Sequence, residues 1–285
     1  MSDPENKIRN NHNLLQRVIV SVIAVPIIVA TVWFGEPWMT MLAAAWGVGA
    51  AWEFYQIIRK SKGLAPMRTF GMLWTFLFII SPHASHIDFF QKVQPASLLL
   101  TTAVIIPLII LLWRKGKDNA FMNWAWTIGG ILYIGLLLSY FVDLRQLDKG
   151  RGWVFLALLC TFSSDIFAYL LGRTFGKHKM ATYISPNKSW EGAAAGVAGA
   201  IIVSVLVVHF FSLPLNNWQA VVLGILISVF GQLGDLVKSL FKRNMQVKDS
   251  GHILPGHGGF LDRMDSLAFA GVLVYGYVVV FTNLL

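Results

Sequence analysis

The sequence predicts an all-α, polytopic integral membrane protein of about nine transmembrane helices, with its N-terminus in the cytoplasm. Three observations lead there. Of 285 residues, 56% are hydrophobic and 13% charged, with a mean hydropathy of +0.62; soluble domains carry about 25% charged residues. Apolar segments near the roughly 20 residues that cross a bilayer recur along the whole chain. The 11 Trp and 20 Phe fit the aromatic belts of membrane interfaces.

The candidate spans are, in order, 15–35, 37–58, 66–82, 95–113, 122–142, 153–172, 190–212, 217–238 and 265–284. The first has a mixed-charge lead, a long apolar run and no small-residue cleavage site directly after it. It is therefore expected to stay as an anchor, unlike a signal peptide. The third is short and ends in "SPHASH". Nine spans put the N-terminus and loops 59–68, 114–118, 173–188 and 238–263 on one side. With Arg17 at the edge of the first span, these hold nineteen of the 23 Lys and Arg. The other side holds Lys92, Arg145, Lys149 and Arg151. Basic loops stay in the cytoplasm, so the N-terminus is expected inside and the C-terminus outside. One loop dissents: "VDLRQLDKGRGW" is basic yet falls outside.

These loops account for the net charge of +9. No basic run is long enough to argue for nucleic acid. The one cysteine, Cys160, lies in an apolar run, where it packs and forms no disulfide within the chain. No repeat or low-complexity linker divides the chain, which reads as one membrane domain over 1–285. Residues 1–150 are weak in motifs; 151–285 carry the chemistry.

Glu53, Asp165, Glu191, Asp235 and Asp265 fall within or at the ends of apolar spans. Carboxylates there are costly and face a partner or a watery cavity. Glu53 reads as a lone structural residue, remote from the cytoplasmic loops, and Glu53→Gln is expected to cost little. Asp165 stays open between a structural and a functional part. Asp235 has company: in "GQLGDLVKSLFKR" a helix puts Asp235, Ser239 and Lys242 on one face, with Lys238 beside them. Past the next loop, Asp262 and Asp265 share a face at the start of the last helix. Three carboxylates thus enter one cytoplasmic pocket from two helices. Without cysteine they suit a hard cation such as Mg²⁺. Zinc is disfavoured, because His252 and His257 have no further soft ligand nearby.

The glycines of "KDSGHILPGHGGFLDRMD" permit positive φ and close approach of backbone N–H groups to an anion. Gly258 and Gly259 lead to the last helix, whose N-terminus favours phosphate, and Lys248 and Arg263 add full charge. The loop "GRTFGKHKMATYISPNKSWEG" adds Lys177, His178, Lys179 and Lys188. Its Ser185–Pro186 pair predicts a helix start beside Lys188. "GRTFGKHK" is no P-loop: its glycine spacing is short, His follows the lysine, and no strand precedes it.

"SLFKRNMQVKDSGHILPGHGGFLDRMD" resembles the signature of the phosphatidate cytidylyltransferases, also called CDP-diacylglycerol synthases. "SPNKSWEG" and "SSDIFAYLLGRTFGKHK" look like two further motifs of that family, with Ser189 in place of a threonine. The matching covers roughly residues 161–270. The resemblance implies that CTP and phosphatidate give CDP-diacylglycerol and pyrophosphate. It implies that Asp235 and Asp262 hold Mg²⁺, with or without a second cation; spacing adds Asp265. The expected catalytic residues are Asp235, Asp262, Asp249 and Lys242. Expected substrate contacts are Ser185, Lys188, Ser239, Arg243, Lys248, His257, Gly258, Gly259 and Arg263. The expected location is a bacterial plasma (inner) membrane, with the site facing the cytoplasm as the charge split places it, and the resemblance further implies a homodimer. Gly192, Gly196, Gly199 and Ala200 allow close helix packing, within the chain or across a dimer. Two other classes fit less well. A CDP-alcohol phosphotransferase needs an Asp-Gly-x-x-Ala-Arg motif, which does not occur. A transporter needs polar residues across the whole bilayer, and here they gather on one side.

Overall fold

The computed structural model describes residues 20–84, 94–113, 118–247, 249–251 and 258–282. Among them are nine long helices: α1 (Val20–Phe34), α2 (Trp38–Lys62), α3 (Arg68–Ala84), α4 (Pro95–Trp113), α5 (Ala120–Gln146), α6 (Gly150–Phe175), α7 (Trp190–Phe210), α8 (Asn217–Asn244) and α9 (Asp265–Phe281). Each overlaps one of the nine apolar segments. Five of them, α4 to α8, are long and apolar enough to cross a membrane. α5 is interrupted at Ile131–Leu136 by a π-helical segment. A short hairpin joins α6 to α7, pairing β1 (Lys179–Ala181) with β2 (Ser185–Ser189) antiparallel. A 3₁₀ turn, Leu261–Arg263, leads into α9.

Local chemistry sets the helix ends. α2 stops at Gly63, whose φ of 63° is left-handed. α8 opens on a capping box: Asn216 accepts from the Gln219 N–H at 3.0 Å, and Gln219 accepts from the Asn216 N–H at 2.9 Å. α7 opens on Ser189, whose hydroxyl accepts from the Gly192 N–H at 3.2 Å. This corrects the expected helix start at Ser185–Pro186, which lies in β2. Proline pushes the residue before it toward extended backbone, and that suits Ser185 to a strand.

The small residues of α7 are used inside the chain. A Cβ on Gly192 would lie 2.8 Å from the Ala168 carbonyl oxygen and 3.0 Å from the Gly172 Cα. Gly196 meets Ser164 and Gly199 meets Phe167, all on α6. The stripe therefore carries no argument for a dimer. Cys160 is fully buried and unpaired, in keeping with a packing role.

The dissenting basic loop has a structural use. Arg145 Nε donates to the Val32 carbonyl at 3.1 Å, at the negative end of α1. Arg151 stands 4.4 Å from the Trp33 ring centroid, and Lys149 Nζ donates to the Ser212 carbonyl. These cations tie helix ends together.

Candidate active site

The polar cluster forms where α8 ends and α9 begins, opposite the Arg145 and Arg151 end of the bundle. Lys238 is its hub. One turn along α8 from Asp235, its ammonium lies 3.0 Å from Asp235 Oδ1. It also lies 2.5 Å from Asp265 Oδ2 and donates to the Asp262 carbonyl at 3.0 Å. From β2, Lys188 reaches Asp235 Oδ2 at 2.7 Å and donates to the Gln232 carbonyl at 3.2 Å. Lys242 pairs with Asp262 Oδ1 at 2.8 Å. The other oxygen, Asp262 Oδ2, accepts from the Ser250 N–H and hydroxyl, both at 2.9 Å, and from the Gly259 N–H at 3.3 Å. Burial by itself would raise the Asp262 carboxyl. The Lys242 ammonium and the Ser250 donors outweigh it and hold the group below the usual carboxylate range.

Other expected site residues sit around this core. Ser239 is half-buried one turn from Asp235, and Ser185 is half-buried in β2. Arg243 Nε donates to the Ile184 carbonyl at 3.3 Å, tying α8 to the hairpin. Asp249 and Arg263 are exposed at the rim. Gly258 takes a φ of 84°, which a side chain would strain. Lys248 and His257 lie outside the described residues.

Four participants were not expected from sequence. Lys238 was placed beside Asp235 by its i,i+3 spacing, but its bonds to Asp262 and Asp265 were not foreseen. Glu53 is the clearest correction. It is 1% exposed, and its carboxylate accepts from the Phe260 N–H at 3.0 Å, the Leu261 N–H at 2.9 Å and the Ser250 hydroxyl at 3.1 Å. It is therefore not remote from the loop that carries Asp262; it holds that loop. Ser250 gave no signal of its own. Among the described residues the buried hydroxyl of Tyr133, on the π segment, has no hydrogen-bond partner, and it feels the charges of Asp265 and Asp235. π segments recur at functional sites. Asp165, accessible on α6, lies within electrostatic reach of Asp235, Asp265, Lys188 and Lys238.

The three aspartates are bridged by ammonium groups and do not gather round one point. Among the described residues, no three His, Cys, Asp or Glu side chains form a metal-holding group. The donor set is nonetheless anionic and all-oxygen, which suits a hard cation. Positive charge already stands between Asp235 and Asp265 as the Lys238 ammonium, so the chemistry of the place fits a cation.

The chain is similar to known proteins along most of its length. The pattern of the cytidylyltransferase family matches residues 15–281. The chain is 32% identical over 271 residues to the phosphatidate cytidylyltransferase of Bacillus subtilis, covering 95% of this chain and 99% of that one. It is 39% identical over 193 residues to that of Staphylococcus haemolyticus, covering 68% and 72% of the two chains. It is 31% identical over 312 residues to the chloroplastic phosphatidate cytidylyltransferase 4 of Arabidopsis thaliana, covering 98% and 76%. The matches to the Bacillus and Arabidopsis proteins run nearly the length of the chain and take in Lys188, Asp235, Lys242 and Asp262, and on that basis the chain belongs to the cytidylyltransferase family.

Proposed function

We propose that this membrane protein makes CDP-diacylglycerol and pyrophosphate from CTP and phosphatidate, as a step of phospholipid synthesis. The observation that carries the reading is the convergence of Lys188, Asp235, Lys238, Lys242 and Asp262 from three separate chain segments at one end of the bundle. That end can meet CTP from water and phosphatidate from the leaflet.

The phosphatidate phosphate oxygen attacks the α-phosphorus of CTP. The bond from that phosphorus to the bridging oxygen breaks, and pyrophosphate leaves with the electron pair. The nucleophile is already an anion, so no strong base is needed. The residues then act by positioning and by neutralising charge. Lys188, Lys242 and Arg243 supply cations for phosphate, with Ser185, Ser239, Lys248, His257 and Arg263 around them. Gly258 and Gly259 let backbone approach an anion. Bound by Asp235 and Asp262, with Asp265 behind, Mg²⁺ (with or without a second cation) would supply further charge for the phosphoryl oxygens.

The purified protein should release pyrophosphate only when both CTP and phosphatidate are present, and EDTA should stop it. Pyrophosphate release without phosphatidate, or activity indifferent to EDTA, would count against this reading.

The proposal includes nine spans in a bacterial inner membrane, with the N-terminus and the site in the cytoplasm; the charge distribution over the loops supports this. Homodimerisation rests on the family resemblance. Single cysteines at Lys117 and Asn187 should be shielded from an impermeant thiol reagent in intact cells, while Asp148→Cys should label. Labelling of Asn187→Cys from outside would invert the topology.

A further inference from the structure

We infer that Glu53 is a positioning residue: through both of its oxygens it holds the backbone that presents Asp262. The inference rests on the proposed reaction at this site. Its basis is a single face of α2. Trp46, Gly49 and Glu53 recur at i, i+3 and i+7, and all three meet the segment before α9. Trp46 Nε1 donates to the Phe260 carbonyl at 3.1 Å, and its ring meets the Phe260 ring edge-on at 5.1 Å. A Cβ on Gly49 would press on the Phe260 ring at 2.8 Å. Glu53 completes the face by accepting from two successive backbone N–H groups, Phe260 on Oε1 and Leu261 on Oε2. Next to it on the helix, Phe54 stacks on Phe241 of α8 at 5.0 Å.

The acceptor pattern selects glutamate. Each oxygen of Glu53 takes a donor from the turn, and Oε2 takes the Ser250 hydroxyl as well. Glutamine has the same length but only one acceptor; its NH₂ would face a backbone N–H, donor against donor. Aspartate keeps both acceptors on a shorter stem. Gly259 fits only without a side chain, because a Cβ there would collide with Glu53 and Ser250.

Ser250 joins Glu53 to the chemistry. Its hydroxyl lies 3.1 Å from Glu53 Oε2 and 2.9 Å from Asp262 Oδ2, yet it has one proton to donate. The two carboxylates share one donor. When Asp262 turns toward a ligand, Glu53 remains as the acceptor for that proton and for the Phe260 and Leu261 N–H groups.

The test uses the full chain in detergent. Glu53→Gln should lower kcat on the order of 10²-fold, the scale of an ångström-level misplacement of a reacting group. Glu53→Asp should recover part of the loss. Amide hydrogen exchange should quicken at Ser250, Gly251 and Gly259–Leu261 and stay unchanged in α7, with little change in Tm. Wild-type kcat with unchanged exchange would overturn the inference. So would exchange that rises equally in α7 with a falling Tm, since Glu53 would then support the fold at large. If Glu53→Gln fails to fold, Ser250→Ala cuts one link between Glu53 and Asp262. It should quicken exchange at Gly259–Leu261 and lower kcat, and wild-type values of both would overturn the inference. Exchange needs no substrate, so it reports on the loop even if the proposed reaction is wrong.

Discussion

Asp262→Asn is expected to lower kcat for CDP-diacylglycerol formation on the order of 10²-fold or more, the scale of one lost electrostatic contact to a transition state. Asparagine keeps the shape. It removes the charge that pairs with Lys242 at 2.8 Å, and its amide confronts the Ser250 and Gly259 donors if it takes the place of Oδ2. Asp235→Asn should do comparable harm, because Lys188 and Lys238 both rest on it. Asp265→Asn should cost less in turnover. Initial rates with Mg²⁺ titrated would check this, and full activity in either of the first two variants would empty the site of its centre. The pH dependence has a definite sign. Asp262 is depressed in the folded protein, so its contribution to stability is complete above the ordinary carboxylate range. It is lost as pH falls through the depressed value. Asp262→Asn should abolish that part of the acid sensitivity.

Lys238→Met is expected to destabilise the protein by roughly 3–5 kcal/mol, the usual result of removing one partner of a buried ion pair. The methionine stem fills the space. Asp265, 4% exposed, loses its cation, and Asp235 stands nearby with like charge. Thermal unfolding in detergent would measure the loss. Adding Asp265→Asn removes the unpaired charge, so the double variant should regain part of the stability of the single one. A single variant as stable as the wild type would show that the hub is not structural.

The helices were legible because apolar length is written locally. The aspartates were legible because Asp235 with Ser239 and Lys242, and Asp262 with Asp265, repeat at helical spacing. The hairpin was hidden: its strands are short, and Ser185–Pro186 signals a helix start as readily as an extended run. Glu53 was hidden for another reason. Its contacts with Ser250 and Leu261 span 197 and 208 residues, and no periodicity reports on so distant a pairing. Lys238 was legible only as a neighbour of Asp235, because its other partners, Asp262 and Asp265, lie past the next loop.

The Asp235–Lys238 pair also bears on how the chain enters the bilayer. Synthesis delivers α8 before α9, so Asp262 and Asp265 are not yet present when α8 inserts. An unpaired Asp or Lys costs about 2.5–3.5 kcal/mol at the centre of an inserting helix, an upper bound for Asp235 and Lys238, which lie toward the end of α8. At i,i+3 the two side chains meet on the same helix, 3.0 Å apart, and α8 reaches the lipid with that charge already balanced. α9 then arrives as the second partner of a lysine that is already in place, and its arrival is also what assembles the site.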